Sequence, residues 1–136
     1  MDQALVDTDI LSEVLKAKDA RVLAKAQQYL AQYGRLAFSA ITYYEVIRGI
    51  QATAATRQMA TFQRLAAGAD VLAISIPVLQ RAADLWVIAH KAGHPRDDAD
   101  LIIAATALEH GRTLVTGNTA HFAWVPNLVI EDWRQP

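Results

Sequence analysis

The sequence predicts an α/β fold in which a parallel sheet is covered by helices on both faces. Short apolar segments alternate along the chain with longer segments whose apolar residues recur at helical spacing. Glycines and capping residues stand between many of these segments. With 136 residues, 53% of them apolar, the chain is long enough to bury a core, and we expect one domain over residues 1–136.

The first half of the chain is expected to contain three strands and four helices. Asp9 and Asp19 are placed to cap the first two helices, and Gly34 and Gly68 are placed to end the second and fourth. The predicted elements, in order, are a strand over 4–7, helices over 10–16 and 19–33, a strand over 35–39, helices over 41–51 and 53–67, and a strand over 71–74.

The second half is expected to contain two long helices and two strands. Ser75 can cap the first helix, which has Pro77 in its first turn and ends before Gly93. The helix over 98–110 is apolar nearly all round, which predicts burial on more than one side. Strands are predicted over 113–116 and 128–130.

Charge and composition exclude several classes of protein. The net charge of −1 gives no overall attraction for nucleic acid, so any such contact requires a local basic patch. The absence of cysteine excludes disulfides and thiolate zinc sites. No apolar run approaches the roughly 20 residues of a membrane span, and the N-terminal residues do not resemble a signal peptide. We therefore expect a soluble, cytoplasmic protein.

Side chains with metal-binding oxygen atoms stand at four turning points of the predicted fold. Asp7 and Asn118 follow strands, whereas Glu45 and Asp100 lie in the first turns of helices. In an alternating fold these points lie along the carboxyl edge of the sheet, where ligands bind. Because carboxylates gathered there repel one another, a hard divalent cation such as Mg²⁺ or Mn²⁺ stabilises them. The pattern thus predicts a metal site and, with it, phosphate chemistry.

Each acid also has a purely structural explanation. Asp9 can cap a helix, and Thr42 and Glu45 have the spacing of a capping box. The acids within 97–100 open a helix, where the dipole stabilises negative charge by about 0.3–1 kcal/mol. Capping nevertheless requires only one carboxylate per helix, and Asp7 has no obvious capping role if Asp9 supplies it. The joint pattern therefore favours a metal site over separate caps.

Other polar and aromatic residues give weaker signals. The four histidines include no pair with HExxH spacing, and each is better explained as a surface or capping residue. The tryptophans and the adjacent Tyr43 and Tyr44 are better explained as core or interface residues than as platforms for base stacking. Arg48 and Arg96 lie near the acids in the predicted fold and are candidates for binding RNA phosphates, although a solvated or ion-paired role fits them equally well.

Four segments, in this order and over nearly the whole chain, resemble the PIN-domain ribonucleases and in particular the VapC toxins of bacterial toxin–antitoxin pairs. They are LVDTDILSE, SAITYYEVIRGI, DADLIIAATALEHGRTLVTGNTAHF and VPNLVIEDW. The resemblance implies a three-layer α/β/α sandwich with a central parallel sheet of four or five strands. It also implies a metal-dependent endoribonuclease that hydrolyses RNA phosphodiesters, forms a homodimer and is silenced by a VapB-like antitoxin.

The resemblance also implies which residues form the site. Asp7, Glu45 and Asp100 are expected to be catalytic and to hold Mg²⁺ or Mn²⁺. The family's fourth acidic position falls at Asn118, so this chain departs from the four-acid form, and Asp98 is the candidate to compensate. The residues expected to support the site are Asp9, Asp98, Thr116 and Asn118.

Two other functions fit parts of the sequence. The DTD segment after an apolar strand is similar to that of haloacid-dehalogenase-like phosphatases, in which Asp7 would be the nucleophile and Asp9 a general acid. However, Leu11 stands where that signature has Thr or Val. A catalytically inert PIN-like module that binds RNA or protein is the other alternative, and Asn118 is its best support. A receiver domain or a nucleotide-binding enzyme fits less well, because the required motifs are missing.

Overall fold

All five predicted strands form, although each is only two or three residues long. In the computed structural model, which describes residues 1–136, they are β1 (Ala4–Val6), β2 (Ala37–Ser39), β3 (Asp70–Leu72), β4 (Thr113–Val115) and β5 (Ile130–Glu131). The pairs β1–β4, β4–β5 and β2–β3 are all parallel. Because β2 lies beside β1, the strand order is β3-β2-β1-β4-β5, divided into a three-stranded and a two-stranded hydrogen-bonded ladder.

The helices agree with the predicted segments, with one addition. They are α1 (Thr8–Lys16), α2 (Ala20–Tyr33), α3 (Ala40–Thr53), α4 (Thr56–Ala67), α5 (Ile76–Lys91), α6 (Asp98–Glu109) and α7 (Thr119–Phe122). The sequence did not predict α7, because four residues are too few to show helical periodicity. None of these helices is both long enough and apolar enough to span a membrane.

The first helix is capped by a different residue from the one predicted. The side chain of Asp7, not Asp9, accepts a hydrogen bond from the backbone N–H of Thr8 and occupies the N-cap position of α1. The helix therefore begins two residues before the predicted start at Ile10. The Asp7 carboxylate therefore follows β1 directly, caps α1 and also lies at the predicted metal site.

The predicted capping box at the start of α3 is wrong. Ser39 is the N-cap, and its hydroxyl accepts a hydrogen bond from the backbone N–H of Ile41 at 3.2 Å. Thr42 lies inside the helix and is fully buried. Glu45 thus has no part in capping α3. The other predicted caps are confirmed, with Asp19 and Ser75 at two helix starts.

The core lies on both faces of the sheet, which gives three layers. Alternate residues of β1 enter different apolar clusters. Ala4 and Val6 pack with residues of α1 to α4 and with the fully buried Trp133. Leu5 packs instead with residues of α5 and α6. Residues 101–107 of α6 are mostly buried, as predicted from the apolar residues on nearly every side of this helix. This arrangement holds the carboxyl ends of the strands along one edge of the molecule.

Candidate active site

Asp7 is the most enclosed acid at the carboxyl edge, with 4% of its surface exposed. Its Oδ1 accepts a hydrogen bond from the backbone N–H of Thr8 at 2.7 Å, and its Oδ2 accepts one from the hydroxyl of Thr116 at 2.7 Å. Its own N–H donates to the carbonyl of Val115 at 2.8 Å. The loops that follow β1 and β4 therefore hold this carboxylate between them.

The electrostatic surroundings of Asp7 disfavour its charged form. Burial raises its pKa from 3.8 to about 7, although the hydrogen bond from Thr116 opposes this shift. The negative charges of Asp9 and Asp100 raise the pKa further. None of the salt bridges in the protein involves Asp7. A buried, uncompensated carboxylate beside two others is a typical feature of a functional site.

Asp9 ties the start of α1 to the loop after β4. Its Oδ1 accepts a hydrogen bond from the backbone N–H of Ile10 at 2.8 Å, and its Oδ2 accepts one from the N–H of Gly117 at 2.9 Å. Thr116 supports the same loop, because its hydroxyl also accepts a hydrogen bond from the N–H of Asn118 at 3.0 Å. Asn118 is the N-cap of α7, but its side chain makes no capping hydrogen bond.

Glu45 reaches the site from the second turn of α3. The hydroxyl of Thr8 donates to Glu45 Oε1 at 2.7 Å and lies 3.1 Å from the hydroxyl of Thr42. Arg48 lies 3.6 Å from the other carboxylate oxygen and also packs over the ring of Tyr44. Glu45 is thus held beside Asp7 through Thr8, the residue between them in the hydrogen-bond network.

Asp100 enters from the first turn of α6 and contacts α7. Burial raises its pKa, His121 lowers it, and the charges of Asp97 and Asp9 raise it further, with a net upward shift. The Nδ1 atom of His121 lies 3.2 Å from Asp100 Oδ2. The indole N–H of Trp124 donates to the carbonyl of His121 at 2.8 Å.

The two arginines predicted to bind RNA have partners within the protein. The guanidinium of Arg96 lies 5.1 Å from the ring centre of Trp124, and its Nε–H is buried without a hydrogen-bond partner. Arg48, described above with Glu45, is more exposed. Asp98, predicted to compensate for Asn118, is exposed and lines a shallow apolar depression with Leu79 and Trp86 of α5.

The predicted acids occupy the same edge but do not form a ready-made metal cluster. Asp7, Asp9 and Asp100 are close enough for their charges to affect one another. Even so, no three His, Asp or Glu side chains are grouped closely enough to hold an ion. Glu45 and Asp100 instead point toward nearby donors, Thr8 and His121 respectively.

The sequence did not identify three residues that the structure places beside these acids. Thr8 could have been found from its position within VDTD, between the two aspartates. His121 was considered only as a surface residue, because α7 was not predicted. Arg134 gave no signal at all. Its Nη2 donates to the carbonyl of Gly117 at 2.7 Å, which brings the C-terminal segment to the loop that binds Asp9.

Comparison with known proteins decides the family. The sequence model of the PIN-domain family matches residues 4–127, which include all of the acids described above. The chain belongs to the PIN-domain family. This PIN domain is 31% identical over 138 residues to the VapC ribonuclease Y4jK of Sinorhizobium fredii, with 96% of this chain and 97% of the relative covered.

Two further relatives agree with this assignment. The tRNA(fMet)-specific endonuclease VapC of Shigella flexneri is 27% identical, over 95% of this chain and 96% of its own. Among solved structures, a DNA-bound VapBC from Salmonella typhimurium superposes with a TM-score of 0.85 at 25% identity, covering 98% of this chain and 99% of the other. The predicted family and the predicted α/β sandwich are therefore confirmed.

The donor chemistry of this edge fits a hard divalent cation. Asp7, Glu45 and Asp100 offer carboxylate oxygens, which are the ligands that Mg²⁺ and Mn²⁺ prefer. Asp7 in particular is buried without a cationic partner, so a bound cation would favour its charged form. Because no three acids are yet clustered, binding requires Glu45 or Asp100 to rotate away from its present partner.

Proposed function

We propose that this PIN domain is a metal-dependent endoribonuclease and the toxin of a VapBC-type toxin–antitoxin pair. The observation that carries the proposal is the buried Asp7 carboxylate, whose pKa is raised to about 7 beside Asp9 and Asp100. The membership of this chain in the PIN-domain family and its similarity to VapC ribonucleases support RNA as the substrate. Because the substrate is cellular RNA, the proposed activity belongs in the cytoplasm.

The proposed metal ligands are Asp7, Glu45 and Asp100, with Mg²⁺ or Mn²⁺ as the ion. When bound, such an ion supplies a water molecule of lowered pKa and neutralises negative charge on the phosphate. Thr116 orients the Asp7 carboxylate through its hydroxyl, and His121 orients Asp100. The hydrogen bond from Thr116 keeps Asp7 directed toward the proposed ion, whereas the contact with His121 holds Asp100 in the metal-free protein. The proposed products carry a 5′-phosphate and a 3′-hydroxyl.

The supporting residues have different proposed tasks. Asp9 and Thr116 hold the loop after β4 against the start of α1, which keeps Asp7 in place. Asn118 contributes a neutral amide at the fourth position and lowers the charge that the site must hold. Asp98 lies on the side of α6 that faces α5, where it can add negative charge to the edge without binding the ion. Arg48 and Arg96 are proposed to approach RNA at the margins of the groove.

The proposed partners are a VapB-like antitoxin and a second copy of this chain. Several structural neighbours at 25% identity or above are VapBC or related toxin–antitoxin complexes, which supports the antitoxin. For the homodimer, α5 offers a set of exposed apolar side chains, namely Ile76, Leu79, Trp86, Val87 and Ile88. Burying such a surface between two copies is favourable.

The deciding experiment compares RNA cleavage by the wild-type protein and by Asp7→Asn. RNA ends are sequenced after the protein is produced in cells and after purified protein is mixed with total RNA. We expect discrete new 5′ ends with wild type and none with Asp7→Asn, because the amide cannot supply the anionic ligand. Asp2→Asn is the matched control, since it makes the same chemical change at an exposed site near the opposite edge. Wild-type activity in Asp7→Asn would reject the assignment.

Metal binding separates the enzyme from a catalytically inert PIN-like module. The melting temperature is measured after removal of divalent ions and again with increasing Mg²⁺ or Mn²⁺. A ligand that binds only the folded state stabilises it by about 2.7 kcal/mol at a hundred times its Kd. We expect stabilisation in the wild type and much less in Asp100→Asn. An inert module predicts no stabilisation in either. The phosphatase alternative is not favoured by the family match over residues 4–127.

A further inference from the structure

The C-terminal segment places an arginine beside the acidic edge in a fixed orientation. Arg134 Nε and Nη2 lie 3.2 Å from the two carboxylate oxygens of Asp132, which is the bidentate geometry of a guanidinium–carboxylate pair. Nη2 also donates to the carbonyl of Gly117 at 2.7 Å. Burial raises the pKa of Asp132, but the hydrogen bonds from Arg134 outweigh burial and hold it below its usual value. The pair is therefore charged at neutral pH.

Gly117 leaves room for this close approach, and its backbone angles do not themselves call for glycine. Its φ is not in the left-handed region, but a Cβ at this position would lie under 3.0 Å from the Arg134 guanidinium and from Asp9 Oδ2. Arg134 and Asp9 thus face each other across the space that a side chain at 117 would fill, without forming a direct ion pair. The missing side chain admits a cation to the edge that carries the acids.

The guanidinium has donors that the protein does not use. Both N–H groups of Arg134 Nη1 make no hydrogen bond within the protein, whereas Nε and Nη2 are occupied. The side chain as a whole is 43% exposed. The negative charges of Asp9 and Glu13 also favour its charged form. An oriented guanidinium with two free N–H groups matches the oxygens of a phosphate.

The negative charge of the carboxyl edge indicates a role for Arg134 in binding RNA. RNA is a polyanion, the chain has a net charge of −1, and the carboxyl edge itself is acidic. A phosphate backbone therefore needs a local cation to approach Asp7 and Asp100. Arg48 is engaged with Glu45 and Tyr44, and Arg96 is stacked on Trp124. Arg134 differs in that its Nε and Nη2 are hydrogen-bonded within the protein, which orients the guanidinium and leaves Nη1 without a partner.

We propose that Arg134 is a phosphate-positioning residue, whose Nη1 binds a backbone phosphate of RNA next to the phosphate that reacts at the acidic edge. This inference rests on the proposed ribonuclease function. Asp132 and Gly117 hold the guanidinium so that binding RNA costs little ordering of the side chain. The residue acts on where RNA lies and makes no contact with the reacting atoms.

The first test measures the salt dependence of RNA binding in the Asp7→Asn background, which prevents cleavage. The probe is a short fluorescein-labelled single-stranded RNA of mixed sequence, and affinity is measured at several salt concentrations. Adding Arg134→Ala removes one phosphate contact, so the slope of log affinity against log salt should fall by about 0.7 and the affinity roughly tenfold. Arg35→Ala is the matched control, because it removes an exposed arginine at the opposite edge. It should leave the slope unchanged.

The second test keeps the charge but displaces the guanidinium. Arg134→Ala should raise KM for cleavage of the same RNA with kcat within about twofold of wild type. Gly117→Ala puts a methyl group where the Arg134 guanidinium and Asp9 Oδ2 now lie, so it should raise KM in the same way, and its disturbance of Asp9 should lower kcat as well. Arg134→Lys keeps a point charge but cannot pair bidentately with Asp132. It should recover most of the salt slope. A residue that only fastened the C-terminus would show no such recovery.

The outcomes separate this inference from the proposed function. If wild type neither binds nor cuts the RNA, the ribonuclease proposal itself fails. If wild type cuts the RNA but Arg134→Ala leaves both KM and the salt slope unchanged, only the positioning role is wrong. Faster cleavage by Arg134→Ala would also reject it, since the arginine would then be a competing counter-ion for the acids.

Discussion

The two edges of the sheet treat charge in opposite ways. At the amino edge, Arg112 Nη1 donates to the carbonyl of Ala4 at 3.1 Å and lies 3.5 Å from the hydroxyl of Tyr29. There, too, Arg35 lies 3.8 Å from Asp70. At the carboxyl edge, acids lie beside acids, and the pKa of the buried Asp7 is raised to about 7. The cations of the amino edge thus have partners that support the fold, whereas the buried Asp7 carboxylate has no cationic partner and marks the place where a ligand is needed.

Shape alone would select the wrong edge. The largest depression, about 530 Å³, lies at the amino edge and is lined by Arg81, Arg112 and Asn127 among others. None of the predicted metal ligands lines it. The depression beside the acids, which is lined by Thr8 and Glu45 among others, is smaller at about 270 Å³. The raised pKa of a buried carboxylate identifies this site better than cavity volume does.

The largest expected effect on stability comes from removing the buried negative charge of Asp7. Folded Asp7 keeps its proton up to about pH 7, whereas the unfolded chain loses it near 3.8. Between these values the folded state binds more protons, so the free energy of unfolding must fall as pH rises. At 1.36 kcal/mol per pKa unit, Asp7→Asn should stabilise the metal-free protein above pH 7 by at most about 4 kcal/mol.

This prediction is checked by urea unfolding of both proteins, with divalent ions removed, from about pH 5 to about pH 8. Asp7→Asn should have the flatter pH profile, and the difference between the proteins should grow as pH rises. Parallel profiles would show that Asp7 is not the group that titrates. Adding Mg²⁺ or Mn²⁺ should shrink the difference, because the cation favours the charged carboxylate only in the wild type.

A smaller effect of opposite sign is expected at the amino edge. Arg112→Ala removes a charged donor from Ala4 and Tyr29, so it should destabilise the fold by about 1–3 kcal/mol. Cleavage per folded molecule should stay at the wild-type rate, since this edge is remote from the acids. Arg35→Ala breaks only an exposed pair and should cost less than about 1 kcal/mol. Equal losses in the two variants would contradict the comparison.

The smallest effect is expected between the acids themselves. Thr8→Val removes the hydroxyl that donates to Glu45 at 2.7 Å and should cost about 1 kcal/mol in the metal-free protein. Glu45 is partly exposed, so water replaces the lost donor. Because the carboxylate is then free to rotate, the Mn²⁺ concentration that half-saturates the stabilisation should not rise. A clear rise would mean that Thr8 positions Glu45 for the ion.

Most of the fold could be predicted from local patterns. Strand and helix segments, the Asp19, Ser75 and Gly34 caps and the buried α6 follow from periodicity and capping chemistry, which act over a few residues. The cap of α1 was predicted wrongly, because it depends on a contact outside the local segment. Asp7 and Asp9 compete for one cap, and the choice depends on where β1 ends, which is set by its pairing with β4.

The site was predicted in part. The sequence indicated which acids stand at the carboxyl edge, because an alternating fold sends every such turning point there. It could not show that Thr8 holds Glu45, that His121 meets Asp100, or that Arg134 reaches the loop at Gly117. These contacts join residues that are 17 to 37 positions apart. Their partners are brought together by packing, and no local rule encodes that.

The amino-acid sequence by itself determined the α/β class, the PIN family, and the row of carboxylates that crowd one edge, since each of these is written in residue types and spacing. Only the tertiary structure decided how strongly Asp7 is desolvated, which neighbour each carboxylate hydrogen-bonds and where the C-terminal cation lies. Charge type is a property of a residue. The free energy of that charge depends on burial and on partners that the chain supplies from a distance.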